Sequence, residues 1–192
     1  MSRELRLFLV ALVGVIMVFV GVSALLPEGW TVQSSQTMPA DKERVVAMFA
    51  DFNGWKRWSP IASTGRSDTE IFVEGEPGQV GHQLRWISGP SEALLRLERV
   101  GVDGVDYQFL SRINPEEEMQ PYGQGQILVT SEGDGSRVTW RENGTVGGYL
   151  HRWFVWFGAQ QKTQQQFQEA SLTNLLFELE SEGDSNASQA KE

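Results

Sequence analysis

The sequence contains no cysteine and only two histidines, His82 and His151. Without thiols there is no disulfide framework, no thiolate nucleophile, no iron–sulfur ligation and no cysteine-bound zinc. The two histidines lie far apart, with no carboxylates at ligand spacing, so no metal site is expected. Cations are scarce too: 16 Lys and Arg stand against 25 Asp and Glu, a formal charge of −9. Nucleic-acid surfaces draw affinity from clustered cations that displace counterions, and the lack of any such cluster argues against nucleic acid as a partner. The same balance argues against an electrostatic grip on anionic lipid. No Gly-x-Ser-x-Gly elbow, phosphate-cradling glycine loop or His-Glu-x-x-His is present. Nothing sets a nucleophile beside a base and an orienting group, so no catalytic residue is assigned and no cofactor is expected.

What the sequence does have begins with an apolar run. From Leu7 to Leu26 only Gly14, Gly21 and Ser23 interrupt it, and none is charged. About 20 such residues, rising about 1.5 Å each, cross a hydrocarbon layer of about 30 Å. Pro27 and Gly29 end the helix, and Trp30 follows at an interfacial position. Uniform apolarity argues against a buried core helix. Arg3 and Arg6 precede the run and the next cation is Lys42. The positive-inside rule therefore puts residues 1–6 in the cytoplasm, 7–26 across the membrane, and the domain beyond it, in the periplasm if the source is bacterial. Val22-Ser23-Ala24 also offers small side chains for signal-peptide cleavage, although the run is longer than a cleaved core usually is. Both readings export the domain.

Trp30 to Met38 alternates like a strand, and Asp41 is placed to cap a helix carrying Val45, Met48, Phe49 and Phe52. A second short helical turn follows from Asn53 to Pro60 and contains Trp55 and Trp58. Six more strands are expected, separated by turn signals. Their inward phases carry His82, Leu84 and Trp86; Leu95 and Leu97; Tyr107 and Phe109; Ile127 and Val129; and Val138 and Trp140. Arg141 and Glu142 on the last strand are read as a structural pair across it. A long helix is expected from Gly148 to about Glu182, with Trp153 and Phe157 on one apolar stripe and Leu172, Leu175 and Leu179 on another. Its glutamine-rich middle, Gln160 to Gln168, reads as a solvated face. Residues 183–192 are polar and expected to be disordered. The fold class is thus α+β: a curved seven-stranded antiparallel sheet, with two short helices, wrapped around one long C-terminal helix.

Seven tryptophans and ten phenylalanines are difficult to pack densely in so small a domain. A curved sheet cannot follow a straight helix closely, so a gap is expected between them. Its expected walls are Trp58, His82, Leu84, Trp86, Leu95, Leu97, Tyr107, Phe109, Ile127, Val129, Trp140, Trp153 and Phe157. Trp55 and Trp58 either gate its mouth or staple the short helices to the sheet.

The order of elements resembles the START-like or SRPBCC superfamily, the helix-grip fold shared with pollen allergens and polyketide cyclases. The likeness is carried by Leu26-Pro27, Pro39-Ala40-Asp41, Phe49 to Trp55, Trp58-Ser59-Pro60, Gly78 to Gly81, Gly133 to Trp140 and Leu172 to Leu175. It covers residues 27–182 and, with the anchor, resembles a membrane-tethered subgroup. The resemblance implies an internal cavity for lipids, sterols, polyketides or other apolar molecules. Expected partners are therefore a hydrophobic small molecule and the membrane, with no protein partner identified. Two alternatives stay open: a cyclase- or dehydratase-like enzyme using His82 or Tyr107, and an envelope protein-interaction module.

Overall fold

The computed structural model describes residues 2–62 and 69–189. Helix α1 (Arg3–Leu25) leads into strand β1 (Gly29–Met38), helices α2 (Lys42–Ala50) and α3 (Phe52–Trp58), and a 3-10 turn at Pro60–Ala62. Strands β2 (Glu70–Glu74), β3 (Gln83–Ser88), β4 (Ser91–Gly101), β5 (Gly104–Arg112), β6 (Gln120–Glu132) and β7 (Gly135–Thr145) follow. Helices α4 (Tyr149–Trp156) and α5 (Ala159–Gln189) close the chain. This is the α+β arrangement expected: one seven-stranded sheet in the order β1-β7-β6-β5-β4-β3-β2, antiparallel throughout.

Local chemistry sets the boundaries. The Asp41 carboxylate accepts from the Arg44 amide at 2.7 Å and starts α2. Asp51 ends α2 and starts α3, accepting from the Asn53 amide at 2.9 Å, so a single residue makes the corner between the two short helices. Register shifts between Leu97 and Arg99 and between Phe109 and Leu110 interrupt the ladders, and such bulges bend and twist a sheet.

The core lies between the inner sheet face, α2 and α3, and α5. Phe49, Trp55, Trp58 and Trp140 meet mostly edge to face, with ring centres 5.0–6.3 Å apart, and Leu172, Leu175 and Leu179 close over them. The Asn174 side-chain amide donates to the Trp58 carbonyl at 2.9 Å, pinning α5 to the end of α3. Trp55 and Trp58 are therefore staples, each at most 1% exposed.

The long helix expected from Gly148 is two helices. Gly158 takes φ +72°, and its amide donates to the Val155 carbonyl, a left-handed termination that glycine accepts without strain. The chain turns there, so α4 and α5 face different surroundings. Helix α5 runs on to Gln189, past the expected boundary at Glu182, and residues 190–192 of the expected disordered tail lie outside the described residues.

Candidate ligand-binding site

Between the inner face of the sheet and the first turns of α5 lies a cavity of about 420 Å³. Volumes of about 300–1,000 Å³ are usual for small-molecule sites. Trp86, Leu95, Phe109 and Tyr122 form its sheet wall, Trp55, Pro60 and Ile61 its side, and Thr163, Gln164, Gln166, Phe167 and Ala170 its helical wall. A larger depression of about 600 Å³ is lined by Glu98, Asp106, Gln108, Gln124, Gln126, Arg141 and Asn143. That one is polar and offers little surface to an apolar molecule.

A glycine makes room for the Tyr107 ring beside the sheet wall of the cavity. Tyr107 pairs with Gly125 and Phe109 with Gly123 across β5 and β6. A Cβ on Gly125 would overlap the Tyr107 ring, so the phenol occupies the space a side chain there would fill.

At one end of the cavity stands Glu142, wholly buried on β7. Its Oε1 accepts from the Tyr107 hydroxyl, and its Oε2 accepts from the Gln164 amide and from the Gln168 amide at 3.1 Å. The Tyr107 oxygen in turn accepts from Trp140 Nε1 at 2.7 Å. Among the described residues no cation pairs with this carboxyl. Burial pushes its pKa above the ordinary 4.5, although its hydrogen bonds pull the other way. Burial likewise raises the Tyr107 hydroxyl well above its usual range, and burial with the nearby Glu142 charge pushes Tyr122 up to about 12. Gln168 is wholly buried and its Oε1 has no hydrogen-bond partner. The site is therefore an apolar cleft with one polar end, rich in acceptors and, among the described residues, without positive charge.

Of the residues expected on the walls, Trp86, Leu95 and Phe109 line this cavity. Leu84, Leu97, Ile127, Val129, Trp58 and Trp140 belong to the packed core beside it, and Tyr107 reaches the site through Glu142. His82 does not enter. Its Nε2 accepts from the Phe52 amide at 3.0 Å, which places the ring proton on Nδ1, within 3.0 Å of the Glu74 carbonyl. The ring stacks on Phe52 at 5.2 Å and ties the start of α3 to the end of β2. His82→Leu is expected to cost about 2 kcal/mol of stability, by stranding a buried amide, while leaving ligand affinity unchanged. Thermal unfolding beside a binding titration checks both halves.

Trp153 and Phe157 are also absent from the cavity. Gly158 turns α4 away, and Trp153 stacks instead on Phe19 of α1 at 5.3 Å. Conversely, the site uses side chains that the sequence pattern assigns elsewhere, Glu142 to a pair with Arg141 and the glutamines to solvent. Glu142 shares the inward phase of Val138 and Trp140, so it does not form the expected structural pair with Arg141, which faces outward. Gln164 and Gln168 sit one helical turn apart on the inward side of the glutamine-rich stretch.

The profile of a family described as polyketide cyclase / dehydrase and lipid transport matches residues 29–180. No curated protein matches the chain by sequence. Among solved structures, TTHA0849 from Thermus thermophilus is 21% identical with a TM-score of 0.55, over 79% of this chain and 98% of its own. The AHSA1 (SPO3351) protein from Silicibacter pomeroyi is 12% identical with a TM-score of 0.55, over 80% of this chain and 99% of its own. A Rhizobium leguminosarum protein is 14% identical with a TM-score of 0.56, over 80% and 96%. At these identities the likeness is one of fold.

Proposed function

The chain belongs to the polyketide cyclase / dehydrase and lipid-transport family, and from that premise we propose that it binds a hydrophobic small molecule whose one polar end donates a hydrogen bond. The observation that carries this reading is the pairing of an apolar cleft with the acceptor-rich Glu142 end. Burial of the apolar body drives binding, at about 25 cal/mol per Å² before ordering costs. A donor on the ligand, a hydroxyl or amine, meets a carboxyl that no cation among the described residues neutralises. Helix α1 is long and apolar enough to cross a membrane. In this reading it anchors the domain beside the bilayer that dissolves such ligands, on the side away from Arg3 and Arg6.

Full-length protein purified in mild detergent, extracted with organic solvent and analysed by mass spectrometry, is expected to release an apolar molecule. Ala170→Trp, at the exposed rim of the cleft, is expected to weaken binding of the neutral fluorophore N-phenyl-1-naphthylamine about tenfold, equivalent to ~1.4 kcal/mol. An empty extract together with unchanged probe affinity would sink the proposal.

The same carboxyl favours a second reading. An ionisable group in an apolar pocket beside a phenol suits a cyclase- or dehydratase-like enzyme, which must hold and return a proton. Conversion of a β-dicarbonyl probe that Glu142→Gln abolishes, with probe binding intact, would select that reading over simple binding.

A further inference from the structure

Helix α4 has an apolar side that the domain does not use. Val155 packs on Trp30 and Val32 and seats the helix on β1. Tyr149, Leu150, Phe154, Trp156 and Phe157 point away from it, exposed from 51% for Phe154 to 73% for Phe157. Large apolar side chains gathered on one short helix mark a surface that is covered in use.

The neighbour of this surface identifies the cover. Trp153, on the same helix, stacks on Phe19, and its Nε1 donates to Ser23 Oγ at 2.6 Å. Arg152 donates to the Ala24 carbonyl at 3.0 Å and to Glu28 at 2.5 Å, bracketing the end of α1. The exposed side of α4 therefore continues the apolar surface of α1 at the level where α1 ends. Tyrosine and tryptophan mixed with phenylalanine and leucine are the residues of a bilayer interface, and the segment from Tyr149 to Phe157 contains no acidic residue.

We propose that α4 lies in the interface of the lipid bilayer that α1 spans, so that the domain is docked on the membrane and not hung from a flexible tether. This rests on the membrane-anchor reading of α1. Docking also orients the cleft. Across the sheet, Trp30 pairs with Gly144, Gly144 with Gly123, Gly123 with Phe109, and Phe109 with Leu95. Two residues of the cleft's sheet wall thus stand in the row of residues that begins just after α1. Thr163, on the opposite wall, is little more than one turn beyond Gly158, about 8 Å along α5. The helical wall of the cleft is thus the part that stands nearest the interface.

The absence of cysteine makes the test clean, because single cysteines can be introduced and spin-labelled in the full chain. Labels at Val13 in α1, at Phe157, and at Val102 would be compared in phosphatidylcholine vesicles by their collision rates with oxygen and with a water-soluble nickel chelate. Val102 is 81% exposed in the β4–β5 turn, at the end of the sheet remote from α1. The oxygen-to-nickel ratio at Phe157 is expected to exceed that at Val102 several-fold and to fall below that at Val13. Ratios that match at Phe157 and Val102, with Val13 deep, would overturn docking and leave the anchor standing. A Val13 label open to nickel would overturn the anchor and docking together. Protection of Phe157 from both reagents would replace the bilayer with a protein or a second copy as the cover.

Discussion

Trp55→Ala is expected to remove about 4 kcal/mol of unfolding free energy, the upper range for a buried aromatic reduced to alanine. Trp55 is wholly buried, and the rings of Phe49, Phe52, Trp58, Tyr107 and Trp140 stand within 5.0–6.3 Å of it. Its Nε1 also donates to the Phe49 carbonyl at 3.1 Å, so truncation strands an acceptor at the end of α2 as well as opening a void. Trp156→Ala is the matched control. That ring is 59% exposed, and its loss should change stability in detergent by no more than about 0.5 kcal/mol. Denaturant unfolding of the full chain in micelles, followed by near-ultraviolet circular dichroism, separates the two. Similar losses for both variants would show that the aromatic cluster is not the keystone of the domain. The void would also adjoin the cleft, since Trp55 forms part of its side. Any surviving Trp55→Ala protein should therefore bind bulkier probes than wild type.

The sheet was legible in the sequence because a strand with one wet face writes its period directly into the residues. Leu95 and Leu97 against Arg96 and Glu98, or Val138 and Trp140 against Thr139 and Arg141, leave little choice of phase. The cap at Asp41 was equally local, because the amide it satisfies lies within a few residues. Glu142 was within reach, since it continues the parity of Trp140. A carboxylate on a strand is nevertheless solvated by default. Only Tyr107, Gln164 and Gln168, separated from it by 35, 22 and 26 residues, make its burial tolerable. No local pattern announces such partners. The error over Trp153 and Phe157 has a different origin. An apolar stripe at helical spacing says that something covers it, not what does, and Gly158 breaks the helix that would have carried the stripe to the cavity. The partner of Trp153 is the anchor helix, which the sequence presents as a separate module.

Glu142→Leu is expected to cost about 3 kcal/mol, because it leaves the Tyr107 hydroxyl and the Gln164 and Gln168 amides without their acceptor inside the protein. Glu142→Gln keeps an acceptor and removes the charge, so its effect depends on pH. Burial raises the folded-state pKa of Glu142 above the ordinary 4.5. Above pH 4.5 the unfolded chain therefore gives up this proton while the folded chain still holds it. With more protons bound in the folded state, stability falls as pH rises through that window. The contribution of this group is complete below the unfolded pKa and is lost as pH passes the folded one. Glu142→Gln cannot titrate, so its stability profile should be flatter and should cross above the wild type at high pH. Parallel profiles for the two proteins would mean that the carboxyl is solvated, and the polar end of the cleft would lose its meaning. A donor-bearing ligand works in the opposite direction to pH, since an amine or hydroxyl on Glu142 compensates the ionised form. Its binding should stabilise wild type most where the empty protein is weakest, and Glu142→Leu should lose that gain. A site that is costly when empty and ionised, and relieved by its ligand, converts occupancy into stability.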